Sequence, residues 1–335
     1  MHTGIDILES ELYEKYPGVL DTLLFDQTTQ KNIFWATDNY THLGEEYTFV
    51  SQILPHLIIG DRGTIIMPRV HKDKVLQQAR SKERAEVFTP SWLCNVQNNS
   101  VDSRWFNRVG VFNVDSITDD GHKTWEVNHE KIAFPKGKTW KQYVSDKRLE
   151  VACGEAPYIT SRYDTTTGEF IPVERRIGLL DRKIRVVNEN VSSTEKWLDA
   201  VKDAFKSIYA FEWQGDSLLL AREAMLVSFI ENFQVKFGKD PAQRSIEAVA
   251  KIISWNVWQM DGLKCVIPNS CHETIEEKVN LFGISEKITN KCRGCETRNI
   301  WLHNGIYCKI KDWTINRKQS GSKGLTIQFV DIFEK

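Results

Sequence analysis

The sequence predicts an α/β fold: a parallel sheet covered by helices, with an N-terminal α+β lobe before it and a small cysteine-containing segment after it. Two observations carry this prediction. From Leu149 onward, short apolar runs alternate with longer stretches of helical periodicity, the order expected of strand-helix-strand units. The apolar runs then close on Gly154, Glu212 and Asp261, the positions at strand carboxyl ends where such units place ligands. A chain of 335 residues exceeds the usual single-domain size. The pattern divides it into a lobe over 1–83, a core over 84–268 and a segment over 269–335 that completes the core.

The elements follow in order. Residues 1 to about 80 mix the apolar run "SQILPHLIIGDRGTIIMPRV" with polar turns and an aromatic-rich piece, "DQTTQKNIFWATDNY". Thr89-Pro90-Ser91 is a helix start signal ahead of the apolar-spaced Trp92, Leu93 and Val96. A strand then runs into Cys153, and a polar excursion passes through Gly178. A helix is expected over "STEKWLDAVKDAFKS", a strand over "SIYAFEW", and a helix over "DSLLLAREAMLVSFIENFQVKF". Another helix follows from "DPAQRSIEAVAKII", and a short strand over "SWNVWQMD".

Composition narrows the function. Basic and acidic residues balance at 44 against 45, so there is no polybasic footprint, and any contact with nucleic acid must be local. No apolar run is long enough for a membrane span, and the N-terminal residues lack the pattern of a secretory signal, so the expected location is the cytoplasm. Seven cysteines, an odd number without a secretion signal, argue against a disulfide framework and for metal binding or buried thiols.

The turn Cys153-Gly154-Glu155-Ala156 closes the first strand of the core tightly enough for backbone to approach a cofactor. Glu212 ends the second strand, where a carboxylate accepts from ribose hydroxyls. Asp261 ends the third, where it meets an exocyclic amine. Trp213 and Trp258 stand beside these acids as candidates for packing on an adenine ring.

These motifs resemble those of the DNA N6-adenine methyltransferases of restriction-modification systems, over about residues 80 to 265. "AEVFTPSWLCNVQNN" resembles that family's "GEFFTP" segment, and "VACGEAPYI" its "DPACGSGAFL" loop for S-adenosylmethionine. "IYAFEWQGDSLLLAREAML" and "NVWQMDGL" are similar to the two elements that follow. The resemblance implies a Rossmann-like, S-adenosylmethionine-dependent core with Thr89, Pro90, Cys153, Gly154, Glu155, Glu212, Trp213 and Asp261 around the cofactor. It implies DNA as substrate and a restriction or specificity subunit as partner, with no membrane. The chain would then be the modification subunit of a restriction-modification or phage-defence system.

The sequence departs from that pattern in three places. Ala156 replaces the second loop glycine, a change that a negative φ would accommodate. A long excursion, "SRYDTTTGEFIPVERRIGLLDRKIRVVNEN", carries Arg162, Arg175, Arg176, Arg182, Lys183 and Arg185, which suit a phosphate backbone. The chain has no Pro-Pro dipeptide, whereas the family's catalytic loop is Asn/Asp/Ser-Pro-Pro-aromatic. The nearest counterpart is "HNGIY", in which Asn304 would accept from the adenine amine and Tyr307 would stack on the base. The missing dipeptide also suits an alternative, a non-catalytic methyltransferase-fold subunit for DNA binding or assembly.

The same region carries a metal pattern. Cys292-x-x-Cys295 precedes His303 and Cys308, with Cys271-His272 upstream, and one such knuckle supplies two of the four ligands that structural zinc takes. The expected ligand set is Cys292, Cys295, His303 and Cys308, with Cys271 as the alternative to His303.

Overall fold

The computed structural model describes residues 9–72, 89–279, 285–314 and 324–333. The chain begins with helices α1 (Glu9–Lys15) and α2 (Val19–Leu24) and the short antiparallel pair β1 (Phe25–Asp26) and β2 (Lys31–Asn32). Single-turn helices lead on to His71. Helix α3 (Ser91–Phe106) starts at Pro90 as its sequence signal predicts, and the carboxylate of Asp164 accepts from Ser91 N at 2.7 Å to cap it. The antiparallel hairpin β3 (Asn113–Ile117) and β4 (Lys123–Val127) contacts α3, and α4 (Trp140–Val144) opens with a capping box at Thr139.

The central unit is a parallel sheet of β5 (Arg148–Val151), β6 (Ile208–Glu212) and β7 (Val257–Gln259), in that order. Helices α5 (Leu179–Asn190) and α6 (Thr194–Lys206) connect the first two strands. Helices α7 (Gly215–Phe237) and α8 (Gln243–Asn256) connect the second two. Strand alternation divides β6 between two cores. Ile208 and Ala210 join the helix side with Leu218, Met225 and Phe229, while Tyr209 and Phe211 face the other way. Buried nearly all round, α7 is the central helix; its Arg222 is fully buried and donates to Val257 O at 2.8 Å and to Leu23 O.

Beyond β7 come the antiparallel hairpin β8 (Thr274–Val279) and β9 (Ser285–Asn290), the short helix α9 (Arg293–Thr297), and the antiparallel pair β10 (Lys309–Asp312) and β11 (Leu325–Gln328). Ile310 and Phe329 close the second core over Tyr209, Phe211 and Trp258. Among the described residues, no helix is long and apolar enough to cross a membrane.

The structure revises the reading of the excursion after Cys153. Its second half is α5, and four of the six cations expected to face DNA are buried instead. Arg162 and Arg176 both pair with Glu231, at 2.9 and 2.6 Å, and Arg182 pairs with Asp102 at 2.6 Å. Lys183 donates to Val144 O, Asp146 O and Ser207 Oγ. These four residues are buried. Arg185 bonds Glu189 and Phe112 O, and Arg175 lies over the Trp125 ring. The four buried cations are internal scaffolding rather than a phosphate-binding face, whereas Arg185 is half-buried and Arg175 exposed.

Candidate functional site

The carboxyl ends of β5 and β6 meet at one contact. Gly154, at φ +54°, turns the chain so that its N–H donates to Glu212 Oε2 at 2.8 Å. The other carboxylate oxygen, Oε1, accepts from Trp213 N and Gln214 N, at 2.8 and 3.2 Å. Burial pushes the Glu212 carboxyl up, against the pull of these three N–H groups. A carboxylate offers about four acceptor directions, so three N–H bonds leave room for a hydroxyl. A Cβ added at Gly154 would meet nothing within 4 Å, so the turn borders open space.

The other residues expected around a cofactor make contacts within the protein. Cys153 is buried, its N–H bonded to Phe211 O at 2.9 Å, and burial together with the Glu150 and Glu212 carboxylates raises its thiol well above the usual range. Glu155 faces the N-terminal lobe, accepting from Arg69 N at 2.8 Å and Tyr163 Oη at 2.6 Å. Trp213 donates from Nε1 to Ala36 O at 3.1 Å. Thr89 O accepts from Thr165 Oγ1 at 3.1 Å, which sets the start of α3 against the loop that follows the turn. Asp261 closes its own turn: Oδ1 accepts from Leu263 N at 3.0 Å, and Oδ2 lies 3.3 Å from Lys264 Nζ. Trp258 is buried, tilted against Phe211 and Phe329. Ala156 has φ +58° rather than the negative value that a methyl favours, in a fully buried position.

Glu150, which the motif reading passed over, lies near the Gly154–Glu212 contact. Strand alternation puts it on the same side of the sheet as Glu212, since Glu150 pairs with Ala210 two residues before Glu212. It is buried, Oε2 has no hydrogen-bond partner, and burial raises its carboxyl to about 8.

The second constellation is a metal-type centre. One donor atom from each of Cys271, Cys292, Cys295 and His303 lies within 4.8 Å of the others. His303 Nδ1 stands 3.4, 3.6 and 3.7 Å from the sulfurs of Cys271, Cys292 and Cys295. Tetrahedral zinc, with its usual bond lengths to sulfur and nitrogen, sets these edges at about 3.6 Å, so the donor set fits that ion. Gly294 permits this packing, because a Cβ there would sit 2.6 Å from His303 N. Burial opposes ionisation of Cys292, but the N–H groups of Asn304 and Cys295, the His303 ring and Gly294 N–H outweigh it and bring the thiol down to about 6. Burial and the neighbouring sulfurs push Cys271 up to about 12.

Cys308 is not part of this set. It is fully buried in the second core, with its sulfur 3.4 Å from Gln259 O, and Cys271 provides the fourth donor. Asn304 and Tyr307 brace the centre. Asn304 bonds the backbone of His272 through both ends of its amide, at 2.7 and 3.1 Å, and its N–H donates to Cys292 Sγ at 3.3 Å. Tyr307 Oη accepts from His303 N at 3.0 Å and donates to Ile300 O at 2.8 Å.

The chain matches no protein-family model, and no curated protein or solved structure matches it significantly.

Proposed function

We propose that this chain is an S-adenosylmethionine-binding subunit of methyltransferase type that serves adenine-N6 modification of DNA in a restriction-modification or phage-defence system. The observation that carries the reading is the Gly154–Glu212 contact, which joins a tight turn and a carboxylate at the ends of adjacent parallel strands. Glu212 would accept from the ribose hydroxyls, the Gly154 turn would let backbone approach the cofactor, and Asp261 would accept from the adenine amine. The cofactor supplies the methyl group when bound. Cys271, Cys292, Cys295 and His303 would hold one zinc ion, and four protein ligands make the centre structural.

A second reading, in which the chain is a non-catalytic DNA-binding or assembly subunit, draws support from one arrangement. The Asn304 amide, expected to accept from a flipped adenine, is bonded at both ends to the His272 backbone, and Tyr307, expected to stack on the base, is tied through its hydroxyl to His303 N and Ile300 O. Transfer of labelled methyl to adenine-containing duplex DNA tests the choice. Turnover by the wild-type chain supports the first reading, and none, despite cofactor binding, supports the second.

A further inference from the structure

The metal ligands lie at junctions between separate structural pieces. The segment leaving β7 folds back at Asp261, which accepts from Cys265 N at 2.8 Å and Lys264 N at 3.1 Å, and it ends at Cys271. Strand β8 starts three residues later, at Thr274. Strand β9 ends at Asn290, two residues before Cys292, and the register Thr274↔Asn290 closes the hairpin beside the ligands. Among the described residues, β8 and β9 pair only with each other. An isolated two-stranded hairpin is marginal in water. The third piece, 303–308, supplies His303 and binds the first, through Ile267 N to Ile306 O at 2.8 Å and Ile306 N to Ser270 Oγ at 2.9 Å.

We infer that the metal ion staples these pieces into one unit, holding the β8–β9 arm in register at its base and fixing the Asp261 turn at the end of β7. The inference rests on the zinc reading. Its consequence is that metal occupancy is linked to the strand-end site: Asp261 and Cys271 belong to one short segment, and Lys264 pairs with Asp261 at 3.3 Å. Linkage of this kind is reciprocal, so a ligand held by Asp261 would in turn tighten the metal.

Hydrogen exchange of the full chain, read by mass spectrometry before and after chelation, tests the staple, with metal content measured on the same samples. Amides in 261–271, 274–279, 285–290 and 303–308 should exchange at least about tenfold faster without metal, while β5, β6, β7 and α7 keep their protection. Added zinc should restore the first set. Unchanged protection in the arm and turn overturns the inference, and so does loss of protection throughout the chain, which would make the metal a determinant of the whole fold. Cys271→Ser, which keeps three ligands, should loosen both 261–271 and the arm in the presence of zinc; protection as in the wild type would overturn the staple. A chain that takes up no zinc fails at the metal analysis, which separates failure of the zinc reading from failure of the staple.

Discussion

Gly154 and Glu212 are tied together across the sheet, with the amide of one 2.8 Å from a carboxylate oxygen of the other. The glycine holds φ +54° beside open space, so Gly154→Ala brings backbone strain without a clash. Thermal unfolding should show a loss of about 1 kcal/mol. If a cofactor approaches this turn, the added methyl should weaken its binding by about tenfold or more, well beyond what so small a stability change explains. Unaltered cofactor affinity in the variant would remove the turn from the site.

Cys271, which the structure places among the donors, and Cys308, which the sequence pattern favoured, predict opposite outcomes. Cys271→Ser should reduce zinc per chain and lower the melting temperature, because the bound metal contributes to folding free energy. Cys308→Ser should keep its zinc, since that sulfur faces Gln259 O in the core. Metal analysis of both variants, purified without chelator, distinguishes them.

Glu231 neutralises two buried cations, Arg162 and Arg176. Removing one partner of a buried ion pair leaves uncompensated charge, and Glu231→Ala should cost about 3 to 5 kcal/mol in denaturant unfolding. A loss below about 1 kcal/mol would mean that these arginines reach solvent, as a DNA-facing role requires.

Glu150 gives stability a pH dependence of definite sign. Burial raises its carboxyl to about 8 in the folded chain, above its unfolded value, so the folded state binds the proton more tightly. The contribution is complete below about pH 4 and is lost as pH rises from there through about 8. Glu150→Gln should therefore flatten the decline between pH 5 and 9 and leave the variant more stable than the wild type, by up to a few kcal/mol, at the alkaline end. Parallel stability curves for the two proteins would show that Glu150 is ionised at no cost.

The elements from 194 to 259 were legible because α6, capped at Ser193, and α8 have regular apolar periods, and because α7 is a long apolar run set between two short apolar strands. Helix α5 was not, because Arg182 and Lys183 occupy buried positions and make a core-facing helix read as a charged surface. Their partners, Asp102 and the carbonyls of Val144 and Asp146, lie far away in sequence, and no local pattern announces them. The metal set was legible to three of its four ligands. The fourth depends on the pairing of β8 with β9, which returns Cys271 to the knuckle; chain spacing favoured Cys308, only five residues from His303. Glu150 was readable in principle, since counting alternate residues along β5 places it beside Glu212.

Calorimetric titration of S-adenosylmethionine into the zinc-loaded wild-type chain and into Glu212→Ala tests the central claim most directly. The account predicts one site per chain in the wild type. In the variant it predicts affinity about ten- to a hundred-fold weaker, the effect of losing about 1.5 to 3 kcal/mol from a charge-assisted hydrogen bond. Absence of binding to the wild-type chain at millimolar cofactor, or equal affinity in the two proteins, would contradict it.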